Sequence, residues 1–406
     1  MKNENISTKM KDSGIEWIGE IPEEWEVRRI KFSAKTRNEK YSELYGKLDY
    51  FGLENIESQS AKYIATDNIY DIEQAQICKK GDIAFGKLRP YLAKIFEVPK
   101  TECCSSEFVL FHNFLGINTF YKYLFLSHGF INIVDSSTYG TKMPRANADF
   151  IKNLFIPVPP FPTQQNIATF LDKKCAAIDS AVEKELLLIE KLKSYKQSVI
   201  TQAVTKGIRP NRKMKQSGIE WIGEIPQEWE VMPFKRFLFA NNGREIGNEV
   251  SSDTKNAVRI FGSGGVFKYT DKYLYDGETV MFGRKGTLGK PLYAKGKFWT
   301  VDTMYYLKFT KKLFPKYNYY QLTAFDWTPF ITQTALPSIV ASEVIAEKFV
   351  FTDYLEQQEI ASYLDKKCTA IESAISKKTS LIDKLKEYKK SLIYECVTGK
   401  RECCNF

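Results

Sequence analysis

The stretch SGIEWIGEIP occupies residues 13–22 and recurs, letter for letter, at residues 217–226, a displacement of 204 positions. A second duplication lies further along. QQNIATFLDKKCAAID (164–179) matches QQEIASYLDKKCTAIE (357–372), and KLKSYKQSVI (191–200) matches KLKEYKKSLI (384–393), both displaced by 193. The chain therefore writes a signature, a variable block and a helical block, and then all three again, the first variable block being 11 residues longer (204 minus 193). A unit of about 200 residues is too long for a solenoid repeat and suits a duplicated domain pair.

The helical blocks are the most legible part. Pro160 and Pro162 end the segment before the first, Thr163 can cap it, and residues 164–205 contain neither Gly nor Pro. At ~1.5 Å per residue such a helix is a rod of roughly 60 Å. Ile178, Ala181, Leu188, Leu192, Tyr195 and Val199 fall at heptad-like spacing, and Ile371, Ala374, Leu381, Leu385, Tyr388 and Leu392 are their counterparts 193 positions on. Each set gives its helix an apolar seam that can pack on the other. The expectation is an intramolecular coiled coil, antiparallel because a tandem repeat with facing seams can arrange its halves about a pseudo-twofold axis.

The variable blocks read as mixed α/β. KKGDIAFGKLRPYLAKIFEV (79–98) and SSEFVLFHN (105–113) have the composition of strands joined by turns, and YKYLFLSHGFINIV (121–134) reads as a helix. In the second block residues 259–309 read as short strands with glycine turns, followed by a helix near 317–330. The expected fold is thus α/β (α+β): a first globular domain over 1–160, a long helix over 161–208, a second domain over 209–352, a second helix over 353–400 and a tail over 401–406.

Composition narrows the function. With 406 residues, 43% hydrophobic, each domain can fill a core, and no apolar run of 18 residues or apolar leader is present, so a cytoplasmic protein without a membrane partner is expected. Lys and Arg exceed Asp and Glu by ten, and 23 Tyr and 28 Phe accompany them, a combination suited to a polyanion with stackable bases. The eight cysteines include the doublets Cys103–Cys104 and Cys403–Cys404 but no CxxC pair, and read as reduced thiols without a metal. Only His112 and His128 are present, both in the first half, which argues against a duplicated His-dependent hydrolase.

Motif lookalikes do not survive inspection. VPPF (158–161) resembles the [DN]PP[YF] motif of amino-methyltransferases, but Val158 cannot accept a hydrogen bond from an amino group. GSGG (262–265) lacks the GxGxxG spacing, and GRKG (283–286) lacks the Walker spacing, so both read as turns. Trp17, Trp25, Trp221 and Trp229 bracket the signatures and read as anchors locking each domain against a helix end, with docking of a partner subunit as the alternative.

SGIEWIGEIPEEWEV, PPFPTQQNIATFLDKK and SVITQAVTKGI together resemble the specificity subunit of a type I restriction and modification enzyme, and the resemblance covers nearly the whole chain. The second helix departs from it only at its entry, where Thr352 and Asp353 replace the prolines of the first copy. The resemblance implies a non-catalytic chain whose two target recognition domains each read one half of a split, asymmetric site in double-stranded DNA, the helices setting the spacer. It implies two modification (methyltransferase) subunits that transfer methyl to adenine N6 and two restriction/translocase subunits, with S-adenosylmethionine, ATP and Mg on those partners and no cofactor or metal here. A stand-alone DNA-binding scaffold and an unrecognised DNA methyltransferase are the alternatives.

Phosphate contacts require Lys or Arg, and major-groove edges favour Arg or Lys on guanine and Asn or Gln on adenine. The candidates in the first domain are Lys87, Arg89 and Tyr91 in one turn and Lys142, Arg145 and Asn147 in the loop TYGTKMPRAN. Those in the second are Arg284, Lys285 and Lys290, with Ser338 in TALPSIV, where Pro337 matches Pro144 at the displacement of 193.

Overall fold

The computed structural model describes residues 9–42, 48–66, 74–140 and 142–403, so Cys404 and the end of the tail lie outside the described residues. The chain divides into two compact units, Met1–Glu185 with Ser380–Phe406, and Leu186–Thr379. Each unit holds one globular domain and half of each long helix. The long helices themselves are Phe161–Lys206 and Tyr354–Val397. Among the described residues no helix is long and apolar enough to cross a membrane.

In the first unit a four-stranded antiparallel sheet runs in the order Lys35–Arg37, Phe108–His112, Ile83–Gly86, Ile95–Glu97. Glu102–Cys104 forms a smaller sheet with Tyr50–Phe51 on one side and Gln76–Cys78 on the other. The stretch read as one helix is two, Asn118–Leu126 and His128–Ser136, because Ser127 takes extended angles and turns its hydroxyl back onto the Leu124 carbonyl. The second unit has a six-stranded sheet in the order Leu238–Asn242, Met304–Phe309, Tyr275–Gly283, Leu292–Thr300, Val258–Gly262, Gly265–Thr270. Its helix, Pro315–Ala324, is shorter than the sequence suggests, since the chain leaves it before Pro329. In both units a strand just before the long helix pairs with the strand after the signature: Phe155–Val158 with Glu26–Arg29, and Lys348–Phe351 with Glu230–Pro233.

The repeated QQ…LDKK words attach each domain to its helix. The Gln164 carboxamide is buried; its oxygen accepts from Ile117 N at 2.9 Å, and its nitrogen donates to Pro159 O at 2.9 Å and Leu115 O at 3.3 Å. Gln357 repeats the arrangement, accepting from Phe314 N at 2.8 Å and donating to Thr352 O at 2.8 Å and Lys312 O at 3.1 Å. Gly116 lies so close that a Cβ there would fall 2.1 Å from Gln164 Oε1, and its φ of +125° is one that side-chain-bearing residues avoid. Two turns further on, the aspartate of LDKK accepts a tyrosine hydroxyl from the domain: Tyr123 to Asp172 at 2.8 Å, Tyr320 to Asp365 at 2.6 Å.

Within the second unit the helix halves run antiparallel. Lys196 pairs with Glu372 at 2.5 Å and Arg209 with Glu359 at 2.7 Å, so that thirteen residues forward on one strand of chain (196 to 209) match thirteen back on the other (372 to 359). The first unit holds the repeat mate of the first pair, Asp179 with Lys389 at 2.7 Å, each residue being displaced by 193 from Glu372 or Lys196.

The covered stripe of the first helix passes through Leu171, Cys175, Ile178, Val182, Glu185, Ile189, Leu192, Lys196, Val199 and Ala203, in steps of four and three, and the second helix repeats it from Leu364 to Cys396. Of the expected seam residues, Ile178, Leu192, Val199, Ile371, Leu385 and Leu392 lie on this stripe, and the others lie one residue off it. Leu188, Tyr195, Leu381 and Tyr388 are 40%, 54%, 43% and 48% exposed, and Ala181 and Ala374 only half-buried. A strict heptad alternation places Lys196 and Lys389 on the stripe, where the methylenes are covered and the ammonium is paired with an acid. A search for apolar residues passes over them and settles on the neighbouring tyrosines.

The signature tryptophans pack within their own units. In the first, Tyr394 near the end of the second helix donates to Trp17 O at 2.9 Å, and a Cβ on Gly399 would lie 2.2 Å from Pro22 Cδ and 3.3 Å from Trp25. In the second, Trp229 is fully buried and donates from Nε1 to Glu356 Oε2 at 3.0 Å, while Arg212 sits 2.6 Å from Glu356 Oε1 outside hydrogen-bond alignment. Burial pushes the Glu356 carboxyl up, but the paired Arg212 guanidinium and the hydrogen bonds from Thr352 and Trp229 outweigh it and hold it below the ordinary 4.5.

Two outcomes follow. Gln164→Glu and Gln357→Glu remove the donor and leave buried carbonyls unpaired, so each variant loses about 2 kcal/mol or more in a urea titration followed by tryptophan fluorescence; an unchanged midpoint contradicts the anchoring role. Because the folded-state pKa of Glu356 is depressed, its contribution is present above the unfolded value and lost as pH falls through the folded one. Thermal melts between pH 6 and pH 3, about the range around an ordinary glutamate, show a smaller pH-dependent loss in Glu356→Gln than in the wild type; equal losses contradict this assignment.

Candidate nucleic-acid interface

In the first domain the strand Ile83–Gly86 runs into Lys87, Leu88 and Arg89, and a tight turn over Pro90–Leu92 follows. The sequence places Lys87, Arg89 and Tyr91 in one turn, and the chain turns there: Pro90 lacks an N–H, with Arg89 and Ala93 on either side at φ of 52° and 45°, a left-handed region that costs non-glycine residues energy. Neighbouring backbone holds the turn. Arg89 N donates to Pro144 O at 2.7 Å, Gln59 N to Leu92 O at 3.0 Å, Lys87 N to Glu107 O at 2.9 Å, and Ala146 N to Lys87 O at 3.0 Å. The loop carrying Arg145 is closed by Tyr139 N to Arg145 O at 3.3 Å and Arg145 N to Tyr139 O at 3.1 Å.

The turn and the loop, separate in sequence, thus form one surface. Tyr91, Tyr139 and Met143 stand out of it, 46%, 62% and 56% exposed, beside exposed Arg89 and Lys142. Arg145 Nη2 donates to Glu107 Oε1 at 2.6 Å. Burial depresses the Lys87 ammonium below the ordinary lysine value against the pull of the Glu107 carboxylate, and the nearby positive charge of Arg145 adds to the depression.

The second domain builds the same frame from other residues. Arg284 N donates to Thr303 O at 2.8 Å, Ile339 N to Arg284 O at 3.0 Å, and Thr332 N to Ser338 O at 3.0 Å. The glycine clusters act as turns and lie side by side, the Ser263 hydroxyl accepting from Thr287 N at 3.0 Å. A Cβ on Gly283 would fall 2.6 Å from Thr287 O, so the close turn that presents Arg284 requires glycine there. Arg284, Lys285 and Lys290 are exposed and make no ion pair with described residues, and Ser338 joins Thr332 and Thr334 in a chain of hydroxyls at 3.2 and 3.4 Å. Among the described residues no group of three or more His, Cys, Asp or Glu could hold a metal ion. The described cysteines are free thiols; burial pushes Cys103 and Cys175 up to about 11, which keeps them protonated.

A family model described as the type I restriction modification DNA specificity domain matches residues 22–191 and 226–380, one copy for each repeat. The chain belongs to the type I restriction–modification DNA-specificity family. Specificity subunits of this family are non-catalytic. The MjaVIII specificity subunit of Methanocaldococcus jannaschii is 25% identical over 278 residues, 63% of this chain and 59% of that protein. The putative MjaX specificity subunit of the same organism is 27% identical over 261 residues, 57% of this chain and 54% of that protein. The matches thus span somewhat over half the length of these relatives. Two solved structures share the fold. A chain from a study of complex assembly and conformational transition of the type I R-M system has a TM-score of 0.76 at 15% identity, over 94% of this chain and 99% of that one. The HsdS subunit from Thermoanaerobacter tengcongensis has a TM-score of 0.53 at 16% identity, over 94% and 98%.

Within this specificity fold one candidate is reassigned. Asn147 caps the helix Ala148–Asn153, its side-chain oxygen accepting from Asp149 N at 2.7 Å and Phe150 N at 3.4 Å, which takes away the acceptor needed for bidentate contact with adenine. Two residues of the surfaces were missed, Glu107 and Thr303. Both lie in a turn immediately before a strand, where the sequence marks no binding residue, and a carboxylate runs against the search for positive charge. The strand alignment that sets them beside Lys87 and Arg284 is a tertiary fact.

Asn147→Ala loses about 1 kcal/mol of stability through the unfilled cap, and Asn147→Asp, which can still cap, stays near the wild type in a thermal melt. Equal destabilisation by both variants contradicts the capping role.

Proposed function

We propose that this chain is the DNA-recognition subunit of a type I restriction–modification complex, each globular domain reading one half of a bipartite, asymmetric target in double-stranded DNA. The carrying observation is that one backbone frame recurs in the two domains with different side chains on it: Lys87, Glu107 and Arg145 in the first, Arg284, Thr303 and Ser338 in the second. Copies of a frame with unlike surfaces suit two unlike sequences. The excess of ten positive charges favours the DNA backbone, and exposed Lys and Arg on both surfaces supply phosphate contacts.

On this reading the two long helices pair antiparallel as an intramolecular coiled coil about a pseudo-twofold axis and fix the spacer between half-sites. The symmetric ion pairs Asp179–Lys389 and Lys196–Glu372, one in each unit, support it. Two modification subunits supply adenine N6 methylation and two restriction/translocase subunits supply translocation and cleavage, with S-adenosylmethionine, ATP and Mg bound by those partners, all in the cytoplasm.

The test maps methylated adenines in cells with and without this gene, and again with residues 27–150 exchanged for those of a relative. A bipartite motif disappears with the gene and changes in one half only with the exchange. Methylation by the purified chain alone, or a change in both halves, contradicts the proposal.

A further inference from the structure

We infer that Arg145, held from behind by Glu107, is the base-selective group of the first reader and takes a guanine, whereas the second reader, with Ser338 and Thr303 at the matching positions, has no such element. This inference rests on the proposed function and adds which positions discriminate and for what base.

The matching of positions is set by backbone geometry. Lys87 N to Glu107 O corresponds to Arg284 N to Thr303 O; Ala146 N to Lys87 O corresponds to Ile339 N to Arg284 O; Tyr139 N to Arg145 O corresponds to Thr332 N to Ser338 O. The last two correspondences keep the displacement of 193 that relates the helices for residues 139, 145 and 146 (332, 338 and 339). Position 145 therefore faces what position 338 faces, and the side chains there are a guanidinium and a hydroxyl.

A carboxylate on a DNA-facing surface repels phosphate, so Glu107 needs a reason to be there. Its geometry supplies one. The Glu107 side chain is 25% exposed and that of Arg145 46%, so the acid lies behind the guanidinium and fixes it through the 2.6 Å bond from Nη2 to Oε1. An arginine has five N–H donors in a rigid fork, and fixing one edge on a carboxylate leaves others aimed in a set direction. Such a fork matches guanine O6 and N7 in the major groove. The backbone beneath it is clamped on both sides, by Tyr139 and by the bridge to Leu88, so little conformational freedom remains to be lost on binding. Arg145 with a free carboxylate-anchored fork is thereby distinguished from Arg284 and Lys285, which have no such buttress and suit phosphates. Ser338 can donate or accept and is already tied to Thr332, a chemistry that does not single out guanine. Glu107 is a positioning residue in this scheme, and Arg145 the group that touches the base.

The experiment assembles the chain with its own modification subunits and reads adenine methylation across a DNA library randomised in both half-sites. The wild type requires a guanine at one position of the first half-site. R145S lowers that preference roughly tenfold, as expected for loss of one bidentate contact, while the second half-site is still read as before; this intact reading also shows that the chain is folded. E107Q weakens the same preference by a smaller factor, and E107D restores part of it, which a merely structural role for Glu107 would not do at one base only. The graft T303E/S338R adds a guanine preference at one position of the second half-site. An R145S complex with an unchanged motif, or one weakened equally at every sequence with a shallower salt dependence, overturns the inference by making Arg145 a spectator or a phosphate contact. Those results leave two-domain reading intact, whereas a wild-type complex with no bipartite motif overturns both.

Discussion

A carboxamide offers one acceptor oxygen and two N–H donors in a plane, and in this chain the buried carboxamides of Gln164 and Gln357 each accept one bond and donate two at the point where a globular domain meets its long helix. Each accepts from the backbone N–H at the start of a domain helix and donates to carbonyls of two separate loops. No other side chain of that size can do so, because a carboxylate lacks the donors and a hydrocarbon leaves buried peptide groups unpaired at a cost. The orientation of everything carried by the domain is referred to the helix through this joint. The Tyr123–Asp172 and Tyr320–Asp365 bonds add a second point of attachment about two turns away, and two points define a direction where one would allow a hinge.

The duplicated words of the sequence are consequently mechanical. SGIEWIGEIP carries tryptophans that pack on helix ends, QQ…LDKK carries the joint and the tyrosine acceptor, and the KLK…Y…I blocks carry the covered stripe with its buried-stem lysines. Trp229, just past the second signature, adds the Glu356–Arg212 pair, which has no counterpart in the first copy because Thr163 occupies the position 193 before Glu356. The halves are alike where the attachment geometry repeats and differ even there in how a buried polar group is satisfied.

Much of this was legible in the sequence because repetition, unlike periodicity, leaves little room for misreading. The displacement of 193 marks the helices, their limits and the mutual matching of Ile178 with Ile371 or Val199 with Leu392. Legibility failed where the physics depends on atoms rather than types. The stripe passes through Lys196 and Lys389, which a search for apolar residues avoids, and so Tyr195 and Tyr388 were placed on it although they face solvent. Asn147 was read for its chemistry towards adenine when its local sequence, with Asp149 in the first helical turn, equally suits a cap. Glu107 was invisible because nothing in the linear chain says that it stands between Lys87 and Arg145.

The two candidate surfaces show why their side chains can differ while the frame stays the same. The links shared by the two domains are bonds between backbone N–H and C=O, at positions 87, 107, 139, 145 and 146 in one domain and 284, 303, 332, 338 and 339 in the other. Backbone links do not depend on which side chain is present, so long as its φ and ψ are tolerated. Lysine, glutamate and arginine in one domain and arginine, threonine and serine in the other therefore occupy equivalent places without disturbing the joint beneath. The constraint bears on the turns instead: Gly283 sits where a Cβ would strike Thr287 O, and Arg89 is held in a left-handed conformation by Pro144 and its neighbours. A surface built this way separates the energy that positions an exposed side chain from the chemistry of that side chain, and on the proposed function a change of sequence preference then needs only a change of side chain.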